Sequence, residues 1–89
     1  QEESATAFAR IICTVRNGLG VLSEVAGIIA RYGVSIANIR IQNRSREFVD
    51  FITDVEVKDA RQLAQMLAGL RASPNVIDAE RTGADDHDL

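Results

Sequence analysis

The hydrophobic periodicity of this 89-residue chain switches between a strand repeat and a helix repeat in a fixed order. Segments that alternate or are rich in β-branched residues predict strands at residues 7–16, 34–42, 48–57 and 76–81. Apolar residues three and four positions apart predict helices at residues 21–32 and 60–72. Because crossovers between strands are right-handed, the order β-α-β-β-α-β predicts an α+β, ferredoxin-like fold. In it a four-stranded antiparallel sheet carries two helices on one face.

The strand patterns also indicate which side chains form the core. The residues predicted to face the helices are Ile11, Cys13 and Val15 in the first strand and Val49, Phe51, Thr53, Val55 and Val57 in the third. The opposite face carries Ile12, Phe48 and Ile52 among charged residues, so we predict that it is either solvated or covered by a partner. In the second strand the apolar parity changes after Ile36, which predicts a bulge near Ala37.

Each predicted helix has one apolar stripe and a defined end. The first stripe consists of Val21, Leu22, Val25, Ile28, Ile29 and Tyr32, and the second of Leu63, Met66, Leu67 and Leu70. Gly33 is predicted to stop the first helix, and Gly27 marks a place where another element approaches closely. Asp59 is predicted to cap the second helix, with Gln62 reaching back to the cap.

Length and composition restrict the chain to one domain. It is 46% hydrophobic and 26% charged, as is usual for a globular protein, and no apolar run is long enough to cross a membrane. We predict a domain at residues 7–82, a linker or disordered segment at residues 1–6 and an acidic disordered tail at residues 83–89. We predict no signal peptide, and the start at Gln1 resembles a cut from a longer chain. The single Cys13 fits a reducing, cytoplasmic environment.

The sequence lacks the combinations of side chains that catalysis would need. One histidine and one cysteine make neither a zinc site nor a nucleophile–base pair, so we predict no metal, no cofactor and no catalytic residue. Asp50 and Asp54 are four residues apart on a strand, about 13 Å, which is too far for an acid–base pair. An RNA-recognition sheet stacks bases on aromatic residues of its middle strands, whereas here Ile12 and Ile52 occupy such positions and Phe48 is the sole candidate. We therefore interpret the chain as a binding module.

The turn Asn17-Gly18-Leu19-Gly20 opens directly onto the first helix and is the predicted ligand site. A helix start presents unpaired N–H groups and partial positive charge, and glycine lets a carboxylate approach the backbone. Asn17 can donate to or accept from a polar head group, and Val21 and Leu22 provide an apolar floor. The same residues also fit an ordinary strand-to-helix turn, and spacing leaves both readings open.

A second candidate surface is a cluster of arginines near the end of the second strand. Arg40, Arg44 and Arg46 could contact phosphate groups of RNA. The alternative is a solvated strand end and turn, and the sequence leaves both open.

Several stretches of the chain resemble a known family. Residues 15–23, VRNGLGVLS, and residues 33–39, GVSIANI, are similar to the ACT domain, a small ligand-sensing module of amino-acid-responsive enzymes. Residues 54–81, DVEVKDARQLAQMLAGLRASPNVIDAER, with IQNRS before them, resemble the C-terminal ACT domain of long Rel/SpoT-type (p)ppGpp synthetase/hydrolases. The first loop is also similar to ACT regulatory subunits of acetolactate synthase type.

The resemblance implies a regulatory domain rather than an enzyme. Its effector would be a small amino acid, valine or isoleucine first, or a protein signal, and it would control the (p)ppGpp metabolism of the stringent response through other domains of a GTP pyrophosphokinase. The implied ligand-binding residues are Asn17, Gly18, Leu19, Gly20, Val21, Leu22, Ser35, Ile36 and Asn38. The family also implies a homodimer in which the second strand of one copy completes the site of its neighbour. Leu19 stands where the family usually has proline. A contact of the arginines with ribosomal RNA is the other partner prediction.

Overall fold

The computed structural model describes residues 6–82 and contains the six predicted elements in the predicted order. The strands are β1 (Ala7–Arg16), β2 (Ser35–Arg44), β3 (Phe48–Val57) and β4 (Val76–Arg81). The helices are α1 (Val21–Arg31) and α2 (Ala60–Arg71). The bounds of β1, β3 and β4 are those predicted from the sequence, whereas β2 starts one residue later and extends to Arg44. Except for Thr6, the predicted linker at residues 1–6 and the predicted tail at residues 83–89 lie outside the described residues.

The four strands form one antiparallel sheet in the order β2-β3-β1-β4. This is the predicted ferredoxin-like arrangement, in which the two central strands are β1 and β3. The edges of the sheet are therefore β2 and β4. Buried residues of both helices and of alternate strand positions form a single core, which confirms that α1 and α2 cover the same face.

The core consists of the residues that the strand pattern predicts. Ile11, Cys13 and Val15 of β1 are almost completely buried, as are their counterparts on β3. Burial, with the nearby carboxylates of Asp78 and Asp50, raises the pKa of the Cys13 thiol to about 12. The thiol is therefore protonated at neutral pH and serves as a small apolar core residue.

Two irregularities in the pairing of β2 with β3 set the orientation of the β2 side chains. One lies between Ile36 and Asn38, which confirms the bulge predicted near Ala37, and a second lies between Ile41 and Asn43. Because of the second bulge, Arg44 pairs with buried Val49 and lies on the helix side of the sheet.

The exposure of two apolar side chains differs from the prediction. Leu22 belongs to the predicted buried stripe of α1 but is 48% exposed, because the part of α1 that faces the core is Val25, Ile28 and Ile29. Ile52 is predicted to be exposed but is only 6% exposed, although it lies on the sheet face away from the helices. It lies on a central strand of the sheet, between its pairing partners Ile12 and Arg40.

Two local predictions about the helices also need correction. A Cβ atom on Gly27 would meet nothing within 4 Å, so Gly27 is not the point of close approach. That point is Gly69, where a Cβ atom would overlap the side chain of Tyr32. At the start of α2, Asp59 accepts a hydrogen bond from the Gln62 backbone N–H at 2.8 Å, as predicted. The Gln62 side chain, however, accepts from the backbone N–H of Lys58 rather than from that of the cap.

Candidate ligand-binding site

A cavity of about 280 Å³ lies between the β1–α1 turn and the end of the β2–β3 hairpin. Its lining residues are Asn17, Gly18, Leu19, Gly20, Val21, Leu22, Ser23, Ile41, Arg44, Val49 and Phe51. The cavity therefore brings together six of the nine residues predicted to bind a ligand, and adds a wall from the hairpin. Its volume is close to the lower end of the range for small-molecule sites.

The floor of the cavity is the start of α1. Gly20 is the N-cap residue and has the left-handed backbone conformation (φ 80°) that glycine adopts without strain. No side chain caps this helix, and the backbone oxygen of Gly20 accepts from the N–H of Glu24 at 2.9 Å. The N–H groups of the first turn consequently have no capping side chain, which leaves them available to an acceptor in the cavity.

Asn17 has a structural role that the sequence did not indicate. Its backbone N–H donates to the backbone oxygen of Glu47 at 2.8 Å, and its side-chain Nδ2 donates to that of Ser45 at 2.9 Å. Asn17 thus connects the β1–α1 turn to the β2–β3 turn and holds the two walls of the cavity together. Its amide nitrogen is engaged, so the side-chain oxygen is the atom that remains for a ligand amine.

The hairpin wall supplies the residues that sequence reasoning missed. The sequence analysis assigns Val49 and Phe51 only to the core, gives Arg44 only a possible RNA contact and gives Ile41 no role. Arg44 is the one cationic residue that lines the cavity. It is also exposed, and its guanidinium has no hydrogen-bond or ion-pair partner within residues 6–82. The antiparallel pairing of Arg44 with Val49 could have suggested this position, but the face on which Arg44 lies depends on the second bulge.

The three remaining predicted site residues lie elsewhere in the same chain. Ser35, Ile36 and Asn38 belong to the first half of β2, where Ser35 pairs with Glu56 at the far end of β3. Ser35 and Arg44 are nine positions apart on β2, and because of the two bulges their partners on β3 are seven positions apart, which is about 24 Å. These residues do not line the cavity, so one chain by itself does not assemble the complete predicted set.

The three clustered arginines do not share one surface. Arg40 pairs with Ile52 on the sheet face away from the helices, whereas Arg44 lies on the helix side. Arg46 belongs to the turn, where its backbone oxygen is 3.5 Å from Nδ2 of Asn17. The geometry thus gives no single basic patch at these positions, and the RNA contact stays a prediction.

Within residues 6–82, no group of three histidine, cysteine, aspartate or glutamate side chains is placed to hold a metal ion. The same residues contain no helix of sufficient length and apolarity to cross a membrane.

Comparison with protein families gives a match over almost all of the described residues. The family model described as ACT domain matches residues 6–81. The chain belongs to the ACT domain family. The residues that suggested this resemblance, at the first turn and after α1, are the ones that form the cavity floor and the start of β2.

Among curated proteins, this ACT domain is similar to a GTP pyrophosphokinase (rsh) of Brucella abortus (strain 2308). The two are 34% identical over 73 residues, which are 82% of this chain and 10% of the relative. The chain therefore spans about a tenth of the length of the curated relatives that it matches.

Among solved structures, the ACT domain from GTP pyrophosphokinase of Chlorobium tepidum has a TM-score of 0.75 and 20% identity, with 88% of this chain and all of that one covered. A homoserine dehydrogenase from Thiobacillus denitrificans has a TM-score of 0.71 and 20% identity over 89% of this chain and 17% of that one. At this identity both likenesses concern the fold, and they confirm the ferredoxin-like arrangement.

Proposed function

We propose that this ACT domain is a regulatory module that binds a small amino acid, valine or isoleucine first, at the cavity beside the β1–α1 turn. Binding would control (p)ppGpp synthesis and hydrolysis by other domains of a cytoplasmic parent enzyme. The observation that carries the proposal is the composition of the cavity, where Arg44 and an uncapped helix start lie beside the apolar residues Leu22 and Ile41.

This arrangement suits the three parts of a branched-chain amino acid. The carboxylate would accept from the Arg44 guanidinium and from the N–H groups near Gly18 to Val21, where the helix dipole also favours negative charge. The amine would donate to the side-chain oxygen of Asn17. The aliphatic side chain would contact Leu22 and Ile41, which are 48% and 45% exposed in the free chain.

A homodimer through the β2 edge would add to the site. An edge strand has unpaired backbone groups, and pairing with a second copy satisfies them. If two β2 strands pair antiparallel about Ile39, then Ser35 of a second copy lies opposite Asn43, and Ile36 lies opposite Gln42. In the same register, Asn38 of the second copy lies opposite Arg40 on the face away from the cavity. This dimer would therefore add Ile36 of a second copy, which lies on the helix side of its sheet, to the hairpin wall beside Arg44.

The identity of the parent enzyme rests on relatives. The Brucella proteins of which this chain matches about a tenth are GTP pyrophosphokinases, which favours a (p)ppGpp synthetase/hydrolase over an acetolactate synthase as the parent. A regulatory protein as the effector is the alternative, and it would not need the cavity.

The proposal is tested by calorimetric titration of the 89-residue chain with L-valine, using two matched substitutions. Arg44→Met removes the charge that lines the cavity and keeps an apolar stem, whereas Arg46→Met removes a charge from the adjacent turn. A charge-assisted hydrogen bond contributes about 1.5–3 kcal/mol, so Arg44→Met should weaken valine binding by about tenfold or more. Arg46→Met should leave it within about twofold. Equal affinities for the two variants, or no saturable heat with valine or isoleucine for the unsubstituted chain, would reject the site.

A further inference from the structure

The sheet face away from the helices, here called the open face, carries opposite charges on its two edges. Its side chains are Phe8, Arg10, Ile12, Thr14 and Arg16 of β1, Ser35, Asn38, Arg40 and Asn43 of β2, Phe48, Asp50, Ile52, Asp54 and Glu56 of β3, and Asp78 and Glu80 of β4. Apolar residues lie at its centre. The β2 edge is basic at Arg40, and the β4 edge is acidic at Asp78 and Glu80.

One row across the open face shows this pattern directly. Arg40 pairs with Ile52, Ile52 with Ile12, and Ile12 with Glu80, so a cation, two isoleucines and an anion lie side by side across the four strands. Arg40 and Glu80 are on opposite edges, three strand spacings or about 14 Å apart, and cannot pair with each other within one chain. The next row has Arg10 and Asp54 at its centre, where the Arg10 Nε lies 2.6 Å from the carboxylate.

We propose that the open face binds the open face of a second copy of this chain, related by a twofold axis parallel to the strands. Rotation about that axis exchanges the two edges of the sheet and keeps each row at its own level. Arg40 of one copy then lies over Glu80 of the other, and Ile12 lies over Ile52. The Arg10 row is likewise complementary, because Asp54 of each copy faces Arg10 of the other. Sheets that pack face to face keep their strands within about 30° of each other. The displacement that this rotation causes at the sheet edge is short enough for an arginine side chain to span.

The positions of the charges favour a twofold axis parallel to the strands over one perpendicular to them. A twofold axis perpendicular to the strands would place Arg40 over Arg40 and Glu80 over Glu80, with like charges facing at both edges. Only the axis parallel to the strands pairs opposite charges at both edges. The interface is isologous, so each contact occurs twice and each charge pair counts double.

The size of the face indicates a weak association. Four strands at about 4.8 Å spacing and a paired length of about 30 Å give roughly 600 Å² for each copy, or about 1,200 Å² in total. That is the lower limit for specific protein interfaces. The dimer should therefore dissociate on dilution, and raised salt should weaken it, because its edge contacts are ion pairs.

The test is a charge exchange between Arg40 and Glu80, followed by sedimentation velocity at increasing concentrations of the 89-residue chain. Arg40→Glu and Glu80→Arg should each weaken self-association by tenfold or more, because each places like charges opposite each other at both edges. A mixture of the two single variants should associate again, since the new carboxylate on β2 of one chain then faces the new guanidinium on β4 of the other. Arg61→Glu, on α2 of the opposite layer, is the matched control and should associate like the unsubstituted chain.

Recovery in the mixture separates this interface from pairing of β2 edges. In a β2–β2 dimer, Glu80 of either copy lies on the far edge of its sheet and has no charge partner in the other copy, so mixing would restore nothing. A chain that stays monomeric at millimolar concentration overturns the proposal and assigns the open face to solvent or to a different protein. Self-association of both single variants that is as strong as that of the unsubstituted chain, or a mixture that associates no more strongly than either variant alone, also overturns it.

Discussion

Single residues determine the chemistry at the end of the sheet where the cavity lies. Arg44 provides the positive charge, Gly20 permits the left-handed turn into α1, and Asn17 connects the two turns through hydrogen bonds. Because Asn17 also holds the hairpin, its replacement by alanine would change the stability of the turn and the binding of a ligand together. Arg44, for which no hydrogen bond within the described chain is recorded, is the cleaner probe of the site.

The Arg10–Asp54 ion pair predicts a specific dependence of stability on pH. The Arg10 side chain donates to Asp54 at 2.6 Å, and this hydrogen bond is the main reason that the pKa of the Asp54 carboxyl is lowered. Since the folded-state pKa is below the unfolded-state value of about 3.9, the pair contributes stability above that pH. The contribution is lost as the pH falls through the lower, folded-state pKa. For a partly exposed pair we expect less than about 1 kcal/mol.

The measurement is urea unfolding of the chain and of Asp54→Asn between pH 7 and pH 2. We expect a constant difference in the free energy of unfolding down to about pH 5, followed by a decrease at lower pH as Asp54 becomes protonated. A difference that is unchanged at the acid end of the series would show that the Asp54 charge does not stabilise the fold.

At the scale of the elements, hydrophobic periodicity was sufficient to predict all four strands and both helices. The alternation in β1 and β3 indicated their ends, because one face of each strand is buried against α1 and α2. The second bulge of β2 has no such signature, since β2 is an edge strand and most of its side chains are exposed. For this reason the sequence predicted the turn half of the cavity but missed the hairpin half.

Two helix glycines should respond in opposite ways to the same substitution. Gly27→Ala in α1 places a methyl group in open space and should raise the free energy of unfolding by about 0.5–1 kcal/mol through helix propensity. Gly69→Ala in α2 makes the methyl group overlap three side-chain atoms of Tyr32 and should lower the stability by about 1–3 kcal/mol.

Urea unfolding of both variants checks the signs, and a Tyr32→Ala background provides the control. Once the ring is absent, Gly69→Ala should become stabilising like Gly27→Ala. If Gly69→Ala destabilises equally with and without Tyr32, the ring is not the cause and the helix packing described here is wrong.

At the scale of the whole molecule, the helices cover one face of the sheet and leave other surfaces for further contacts. These include the open face, the β2 and β4 edges and the cavity at the end of the sheet that carries the β1–α1 turn. The sequence indicated that such surfaces exist, because charged residues alternate with isoleucine on one face. It could not indicate that Arg40 and Glu80 lie at the same level on opposite edges, since that follows only from the register of three strand pairs.

The most direct test of the central claim is a titration of the ¹⁵N-labelled chain with L-valine, followed by the backbone amide chemical shifts. We expect saturable shifts at residues 17–23 and 41–44, with glycine, which lacks the aliphatic side chain, as the weaker matched ligand. If the β2 edges pair, residues 35–38 should shift at the same valine concentrations. Shifts that are absent at residues 17–23, or that are as large with glycine as with valine, would contradict the claim that this ACT domain senses a branched-chain amino acid at that turn.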